Sequence, residues 1–230
     1  MLRRLPLAHT LNTRDLGGYP ITPKGQTRYG RFLRSDLPVL LSDEEAARLL
    51  QAGITTIIDL RSFEELDRQP SFFAGRPGFD YHHFPLGMGR PPMDETDIGS
   101  SYLGMLDDPA VIRGIMTLFA RADTGFLYHC TAGKDRTGMI SALLLSLVNV
   151  SMPDILADYQ VTHTYIAPML DQLHKSDPSL PAWIGQSRPE YLLGFFDLFF
   201  KIHPSVEAYL LQLGLISGEI SAIKAKLVSP

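Results

Sequence analysis

Cys130 and Arg136 are the two residues of this 230-residue chain whose types and spacing most directly predict chemistry. Residues 125–138 read GFLYHCTAGKDRTG, so the cysteine ends a strand pattern, and the arginine follows a loop of five residues and begins a helix pattern. Backbone N–H groups of such a loop can converge on one centre, and the positive end of the following helix points to it. Gly133 permits backbone geometry that other residues resist, and the Arg136 guanidinium matches two phosphate oxygens. The segment predicts an anion-binding loop built around a thiol.

The same electrostatic field acts on the sulfur of Cys130. Helix N-termini and nearby cations favour the thiolate over the thiol, so Cys130 is expected to be ionised and able to attack phosphorus in line. Thr137 is predicted to donate its hydroxyl to this sulfur, and His129 to order the loop by hydrogen bonds. The alternative, an inert buried cysteine, leaves the charged residues 134–136 beside it unexplained. The predicted phosphate-binding residues are Thr131, Ala132, Gly133, Lys134, Asp135 and Arg136.

The segment His129–Gly138, HCTAGKDRTG, resembles the signature of the protein tyrosine phosphatase superfamily, and its Lys-Asp-Arg variant is similar to that of a bacterial, lipid-phosphatase-like group. Asn12–Tyr19 and Asp59–Ser62 are similar to two further motifs of that group, so the resemblance covers nearly the whole chain. It implies a phosphatase without a metal or other cofactor, and a mixed sheet flanked by helices. It also implies phosphotyrosine as substrate, in some members phosphoserine or phosphothreonine, and in several members phosphoinositides.

The leaving oxygen needs a proton donor, which is typically worth about 10²–10⁴ in rate. The resemblance implies that Asp135, inside the anion-binding loop, is this general acid, and a bound phosphate dianion would favour its protonated form. Asp94 and Asp97, in the predicted loop 87–101, are the alternatives, although no Trp-Pro-Asp sequence is present. The remaining candidates are Asp59, Asp15 and water.

Three further groups of polar residues have both a functional and a structural interpretation. The pair Arg14 and Asp15, before two glycines, would support the anion-binding loop or simply form a turn. The pair Asp59 and Arg61 ends a buried strand at the edge where α/β sheets place ligands, or forms a structural ion pair. Tyr81–His83 lacks further ligands at metal spacing, so it is interpreted as strand and no metal site is predicted.

The elements that would position these residues alternate between strand and helix in the first two thirds of the chain. This pattern predicts an α/β fold with a mixed, largely parallel central sheet flanked by helices, followed by an all-helical C-terminal portion. The predicted strands are Thr27–Leu33, Ile54–Leu60, Tyr81–Leu86 and Gly125–Cys130. The predicted helices are 42–52, Asp108–Arg121, Arg136–Val150, Pro153–Lys175, Pro189–His203, Pro204–Leu213 and Ser217–Val228.

We expect one domain over residues 1–230, with the C-terminal helices of about 153–228 packed on it. The apolar residues of 192–200 are interpreted as core, with a lid over the active-site mouth as the alternative. Residues 87–101 and 176–188 are expected to be long loops, which are often functional.

Bulk properties exclude several classes of function. The formal net charge of −4 gives no indication of a nucleic-acid partner, and no apolar run reaches the roughly 20 residues that cross a bilayer. The single cysteine fits a reducing compartment. We therefore expect a cytoplasmic protein, while export by a leader outside this sequence and the oligomeric state stay open.

The sequence thus predicts a cysteine-dependent phosphatase that acts on a phosphorylated protein through a phosphocysteine intermediate. A phosphoinositide phosphatase is the main alternative, because Lys134 would supply a second cation for a multiply phosphorylated head group if it is not simply a solvated lysine. Less favoured are a non-catalytic phosphate-binding module and a rhodanese-type sulfur-transfer enzyme.

Overall fold

Five strands form one sheet in the computed structural model, which describes residues 2–229. The strands are β1 (Arg14–Asp15), β2 (Phe32–Ser35), β3 (Ile54–Asp59), β4 (Asp80–His83) and β5 (Gly125–His129). Their order is β1-β2-β5-β3-β4; β1 runs antiparallel to β2 and the other neighbours are parallel. The predicted α/β class with a mixed, largely parallel sheet is therefore confirmed.

Helices flank this sheet and make up the C-terminal portion of the described chain. They are α1 (Asp43–Gln51), α2 (Phe63–Arg68), α3 (Ile98–Gly104), α4 (Pro109–Arg121), α5 (Asp135–Leu147), α6 (Met152–Ser176), α7 (Pro189–Ile202), α8 (Val206–Gln212) and α9 (Ser217–Leu227). Helix α5 contacts α6 and α8, α4 contacts α9, and α3 contacts α7. None of the helices described over 2–229 has the length and apolar character needed to cross a membrane.

Local sequence explains the elements that carry the site. The run ITTIID of β3 is β-branched and almost entirely buried, as expected for a strand covered on both faces. Helix α1 begins at the predicted capping box, in which the Ser42 hydroxyl accepts from the Glu45 N–H and the Glu45 carboxylate accepts from the Ser42 N–H. Gly53, just beyond this helix, has a φ of 72° and turns the chain into β3.

Several predicted boundaries are wrong; the strand predicted over Tyr81–Leu86, for example, is β4 and ends at His83. Two others have identifiable reasons. The strand predicted over 27–33 is instead β2, because Gly30 has a φ of 71° and forms a turn before the strand begins. Helix α5 ends at Leu147, three residues before the predicted end, because Asn149 adopts a left-handed φ of 60°.

The expected loop 87–101 is wrong in its second half. A short 3₁₀ helix, Glu95–Asp97, leads into α3, whose side chains Ile98 and Tyr102 are buried. Gly99 makes this packing possible, because a Cβ at that position would lie 2.7 Å from the backbone carbon of Gly194 on α7. The glycine and serines of α3 obscured its helical pattern in the sequence.

The main hydrophobic core lies between the sheet and the helices of the C-terminal portion. On α7, Phe195, Phe196 and Phe199 are buried in this core. A smaller apolar cluster that includes Leu33, Leu49 and Ile57 packs beneath α1 on the other face of the sheet. Both faces of the central strands are therefore covered, as is typical of parallel strands.

Candidate active site

The site lies at the carboxyl edge of the three central strands. Ser35 of β2 and Asp59 of β3 both pair with His129 of β5, so the segments that follow these residues meet at one place. Cys130 comes directly after β5 and is 3% exposed. The seven residues 130–136, here called the anion loop, connect the end of β5 to the first turn of α5.

The carbonyl groups of residues 131–133 are all bound from outside the anion loop. The Leu37 N–H donates to the first at 3.0 Å. The Asn12 side-chain amide donates to the second at 2.9 Å and the third at 3.1 Å, and the Arg34 guanidinium donates to the third at 2.6 Å. Since the C=O and the following N–H of a trans peptide point in opposite directions, this arrangement turns the N–H groups toward the centre of the loop.

The amide groups of the anion loop remain available for a ligand. Over the described chain, 2–229, none of the N–H groups of residues 131–136 donates a hydrogen bond to another residue. Gly133 is required here, because its φ is 65° and a Cβ would lie 2.6 Å from the carbonyl oxygen of Ser35. Together with the N-terminus of α5, these donors provide the kind of arrangement from which a tetrahedral anion could accept hydrogen bonds.

Arg136 is held by Glu65, a residue that sequence reasoning missed. Its two terminal nitrogens donate to the two carboxylate oxygens at 2.6 and 2.7 Å. Burial disfavours the charged guanidinium, but the bonds to Glu65 and the nearby Cys130 outweigh it and raise the pKa of Arg136. Its Nε atom is buried and has no hydrogen-bond partner among the described residues, so the guanidinium is fixed and still has a donor available.

Glu65 links α2 to the anion loop. It accepts from the Ser62 N–H as the reciprocal half of a capping box, and it accepts from the Thr131 hydroxyl at 2.5 Å. Hydrogen bonds from Arg136 lower the pKa of Glu65, so it is a carboxylate at neutral pH. The spacing Ser62-x-x-Glu65 was a visible capping signal in the sequence, although it did not show that the glutamate would reach the arginine.

Asp135 lies on the rim of the anion loop and contacts the helical part of the protein. Its Oδ1 atom accepts from the Tyr102 hydroxyl at 2.6 Å and lies 3.0 Å from the Lys134 ammonium. The same ammonium donates to the Gln186 carbonyl at 2.9 Å. These two contacts exclude the interpretation of Lys134 as a freely solvated lysine.

The alternative general acids lie elsewhere. Asp94 caps the short 3₁₀ helix and accepts from the backbone and hydroxyl of Thr96, hydrogen bonds that lower its pKa. Asp97 accepts from Arg90 at 2.6 Å. Neither carboxylate lines the cavity beside the anion loop, whereas Asp135 does.

Asp59, Arg61 and His129 form a buried group behind the anion loop. Asp59 accepts from the Arg61 guanidinium at 2.6 Å and from the Tyr81 hydroxyl at 2.8 Å. Of the two interpretations of Asp59 and Arg61, these contacts match the structural ion pair. Burial lowers the pKa of His129 to about 4, so its ring is neutral at pH 7. The ring lies within 3.3 Å of the Ser71 hydroxyl and of the Cys130 carbonyl, consistent with the predicted ordering role.

Asp15 and Arg14 have separate roles. Asp15 accepts from the N–H groups of Gly17 and Gly30, so it forms turns. Arg14 donates to Asp158 at 2.9 Å and also to the Asn12 carboxamide, and through Asn12 it supports the anion loop. Arg34 donates to the same Asp158, which is therefore the anchor of the network.

The structure also locates Thr137, the predicted donor to the thiol, and the two histidines that were interpreted as strand. The Thr137 hydroxyl is buried and has no hydrogen-bond partner in the described part of the chain. His82 and His83 lie in β4, where His83 contacts the Arg61 carbonyl at 2.7 Å. Residues 2–229 hold no group of three or more His, Cys, Asp or Glu side chains that could bind a metal ion.

A cavity of about 460 Å³ opens beside the anion loop. The loop contributes residues 131, 132, 134 and 135 to its wall. The rest of the wall is mostly apolar and comes from α3, α6 and two connecting segments: Met88, Pro92, Ile98, Ser101, Tyr102, Ile166, Met169, Leu170, Leu173, Trp183, Ile184 and Gly185. A phosphate in the anion loop would therefore have an apolar chamber next to its ester group.

The chain is similar to several known proteins. The profile of a family described as the tyrosine phosphatase family matches residues 5–229. A tyrosine-protein phosphatase of Nostoc commune is 29% identical over 81% of this chain and 70% of its own length. The triple specificity protein phosphatase PtpB of Mycobacterium tuberculosis is 30% identical over 57% of this chain and 60% of its own length. The crystal structure of P. aeruginosa TpbA superimposes with a TM-score of 0.34 and 16% identity, over 65% of this chain and 88% of that one.

Proposed function

The chain belongs to the tyrosine phosphatase family, and on this premise we propose that it hydrolyses phosphotyrosine esters through a phosphocysteine intermediate at Cys130. The family match, with one relative named a tyrosine-protein phosphatase and another named a triple specificity protein phosphatase, confirms the predicted resemblance and enzyme class. The chain spans about 60 to 70% of the length of these two relatives, so its own substrates and mechanism belong to the proposal.

One observation carries the proposal: an outward-facing set of carbonyls leaves six consecutive loop amides and the Arg136 Nε around Cys130 without a hydrogen-bond partner among residues 2–229. A phosphate monoester would accept from these donors, and the charge that develops on its equatorial oxygens would be stabilised without reorganisation of the protein. The bidentate contact with Glu65 keeps the Arg136 guanidinium in place.

The reaction has two steps. In the first, the Cys130 thiolate forms a bond to phosphorus while the phosphorus–oxygen ester bond breaks, and Asp135 gives its proton to the departing phenoxide. In the second, water attacks the phosphocysteine, Asp135 takes up a proton from that water, and the sulfur leaves as a thiolate. The Thr137 hydroxyl, which has no partner in the described chain, would donate to the leaving sulfur.

The cavity favours an aromatic ester over a phosphoinositide. Its wall is mostly apolar, and among the described residues that line it Lys134 is the only cation. This cation already contacts Asp135 and the Gln186 carbonyl. An inositol ring that bears several phosphates would meet few donors there, whereas a phenyl ring would be desolvated favourably. Activity on phosphoserine and phosphothreonine, and a cytoplasmic location, stay predictions.

The direct test is turnover of an aryl phosphate by the wild type and by Cys130→Ser. We expect turnover to fall to background in the variant while inorganic phosphate still binds, because the amides and Arg136 remain. Equal turnover in the two proteins would contradict the proposal. Phosphate binding without turnover in the wild type would instead indicate a non-catalytic module, and a preference for soluble phosphoinositide head groups over phosphotyrosine peptides would support the alternative substrate class.

A further inference from the structure

We propose that Tyr102 is a positioning residue for proton transfer by Asp135, and that Tyr159 extends this contact into a hydrogen-bonded relay. The inference rests on the proposed function, because it assigns these residues a role in the same hydrolysis. The Tyr102 hydroxyl lies 2.6 Å from Asp135 Oδ1 and 2.6 Å from the Tyr159 hydroxyl. Both rings are buried, at 3% and 1% exposure.

The direction of the relay follows from the donors that are present. A carboxylate only accepts hydrogen bonds, so Tyr102 gives its single proton to Asp135, and Tyr159 must donate to Tyr102. Burial and the charge of Asp135 raise the pKa of Tyr102 well above its usual value, so the phenol keeps its proton. Because Oδ1 accepts in the charged and in the neutral acid, the relay persists through the catalytic cycle.

The relay makes the two oxygens of Asp135 unequal. Tyr102 donates to Oδ1, and the Lys134 ammonium lies 3.0 Å from the same atom. Within 2–229, no hydrogen bond reaches Oδ2, so this is the oxygen left to carry the acidic proton. When that proton moves to the ester oxygen, the charge left on the carboxylate is stabilised by two donors already in place. Tyr102 thus fixes the orientation of the acid and stabilises the product of proton transfer.

Leaving-group dependence separates this role from a merely structural one. Phenoxide needs the proton far more than nitrophenoxide, so the loss of an oriented acid slows phenyl phosphate most. We expect Tyr102→Phe to lower kcat/KM, which reports the step in which the ester bond breaks, about tenfold for phenyl phosphate and less than about twofold for p-nitrophenyl phosphate. Tyr159→Phe should give the same pattern with a smaller change. Tyr209→Phe is the matched control, because that hydroxyl is buried and has no partner among the described residues.

A double-mutant cycle with Asp135→Ala completes the test. If Tyr102 acts through Asp135, Tyr102→Phe costs no further activity once the carboxylate is absent. The other groups that act on the relay electrostatically, Arg136, Arg34 and Tyr191, are unchanged throughout. An equal loss for both substrates, or the same loss in the Asp135→Ala background, would overturn the inference. A wild type that turns over neither substrate would instead refute the proposed function.

Discussion

The two sides of the anion loop are stabilised by different interactions. Behind the loop, buried charges and amides bind its carbonyls: Asn12 and Arg34 donate directly, and Asp158 anchors Arg34. At its mouth, apolar side chains of α3 and α6 form a cavity, and Asp135 contacts a tyrosine of α3. The back of the loop fixes where a phosphate can bind, and the mouth determines which ester group can accompany it. Changes at the back should therefore affect folding and phosphate binding, whereas changes at the mouth should affect proton transfer and substrate choice.

The largest effect is expected from Asp158→Asn, at the back. This carboxylate is 2% exposed and accepts from both Arg14 and Arg34, so its neutralisation leaves two buried guanidinium groups without a counter-charge. We expect the free energy of unfolding to fall by about 3–5 kcal/mol, measured by urea denaturation. Asp171→Asn, an exposed position on the same helix, is the control and should change it little.

The pH dependence of this effect has a definite sign. Burial opposes the charge of Asp158, but Arg14 and Arg34 outweigh it and lower its pKa in the folded protein. The contribution of Asp158 to the free energy of unfolding is therefore fully present above the unfolded-state pKa of about 3.9. It is lost as the pH falls toward the pKa of the folded state. The difference in the free energy of unfolding between wild type and Asp158→Asn should be constant near neutrality and shrink below about pH 4. A difference that instead shrinks as the pH rises would contradict the assignment.

A smaller effect is expected from Glu65→Gln, between back and mouth. The amide keeps the shape of the side chain but loses one acceptor and the charge that fixes the Arg136 guanidinium. We expect kcat/KM for an aryl phosphate to fall about tenfold to a hundredfold, the equivalent of about 1.5–3 kcal/mol. Glu64→Gln, an exposed neighbour on α2, should retain activity. Unchanged steady-state kinetics in Glu65→Gln would show that the guanidinium is positioned by other contacts.

The smallest effect is expected at the mouth. Trp183→Ala enlarges the cavity and should raise KM for biphenyl phosphate severalfold, about 1 kcal/mol, while KM for phenyl phosphate and both kcat values change less. Phe200→Ala removes an aromatic ring that is 41% exposed on α7 and does not line the cavity. This control should have the wild-type KM for both esters. Equal KM changes for the two esters would argue that the cavity does not select the ester group.

The anion loop was predictable because its chemistry is local. Cys130, Gly133 and Arg136 lie within seven residues, between a strand and a helix that each have a clear pattern. The strands and long helices were predictable for the same reason, through alternation, capping boxes and helical spacing. The boundaries failed where a single residue with positive φ, such as Gly30 or Asn149, overrides the surrounding pattern.

The partners of the anion loop were not predictable, because they come from distant parts of the chain. Asp158 reaches Arg14 and Arg34 across more than one hundred residues. Tyr102 reaches Asp135 from α3, whose glycine and serines are typical of a loop sequence. The contact of Glu65 with Arg136 could be predicted only from the placement of α2 against α5. These contacts depend on tertiary packing, which one sequence does not reveal.

Detection of the covalent intermediate tests the central claim most directly. Wild-type protein mixed with an aryl phosphate would be quenched in acid within one turnover, digested with trypsin and analysed by mass spectrometry. We predict one phosphoryl group on the peptide 122–134, located at Cys130 by fragmentation, and its absence in Cys130→Ser. Turnover with no phosphoryl group on this peptide, or with the group on another residue, would contradict the mechanism.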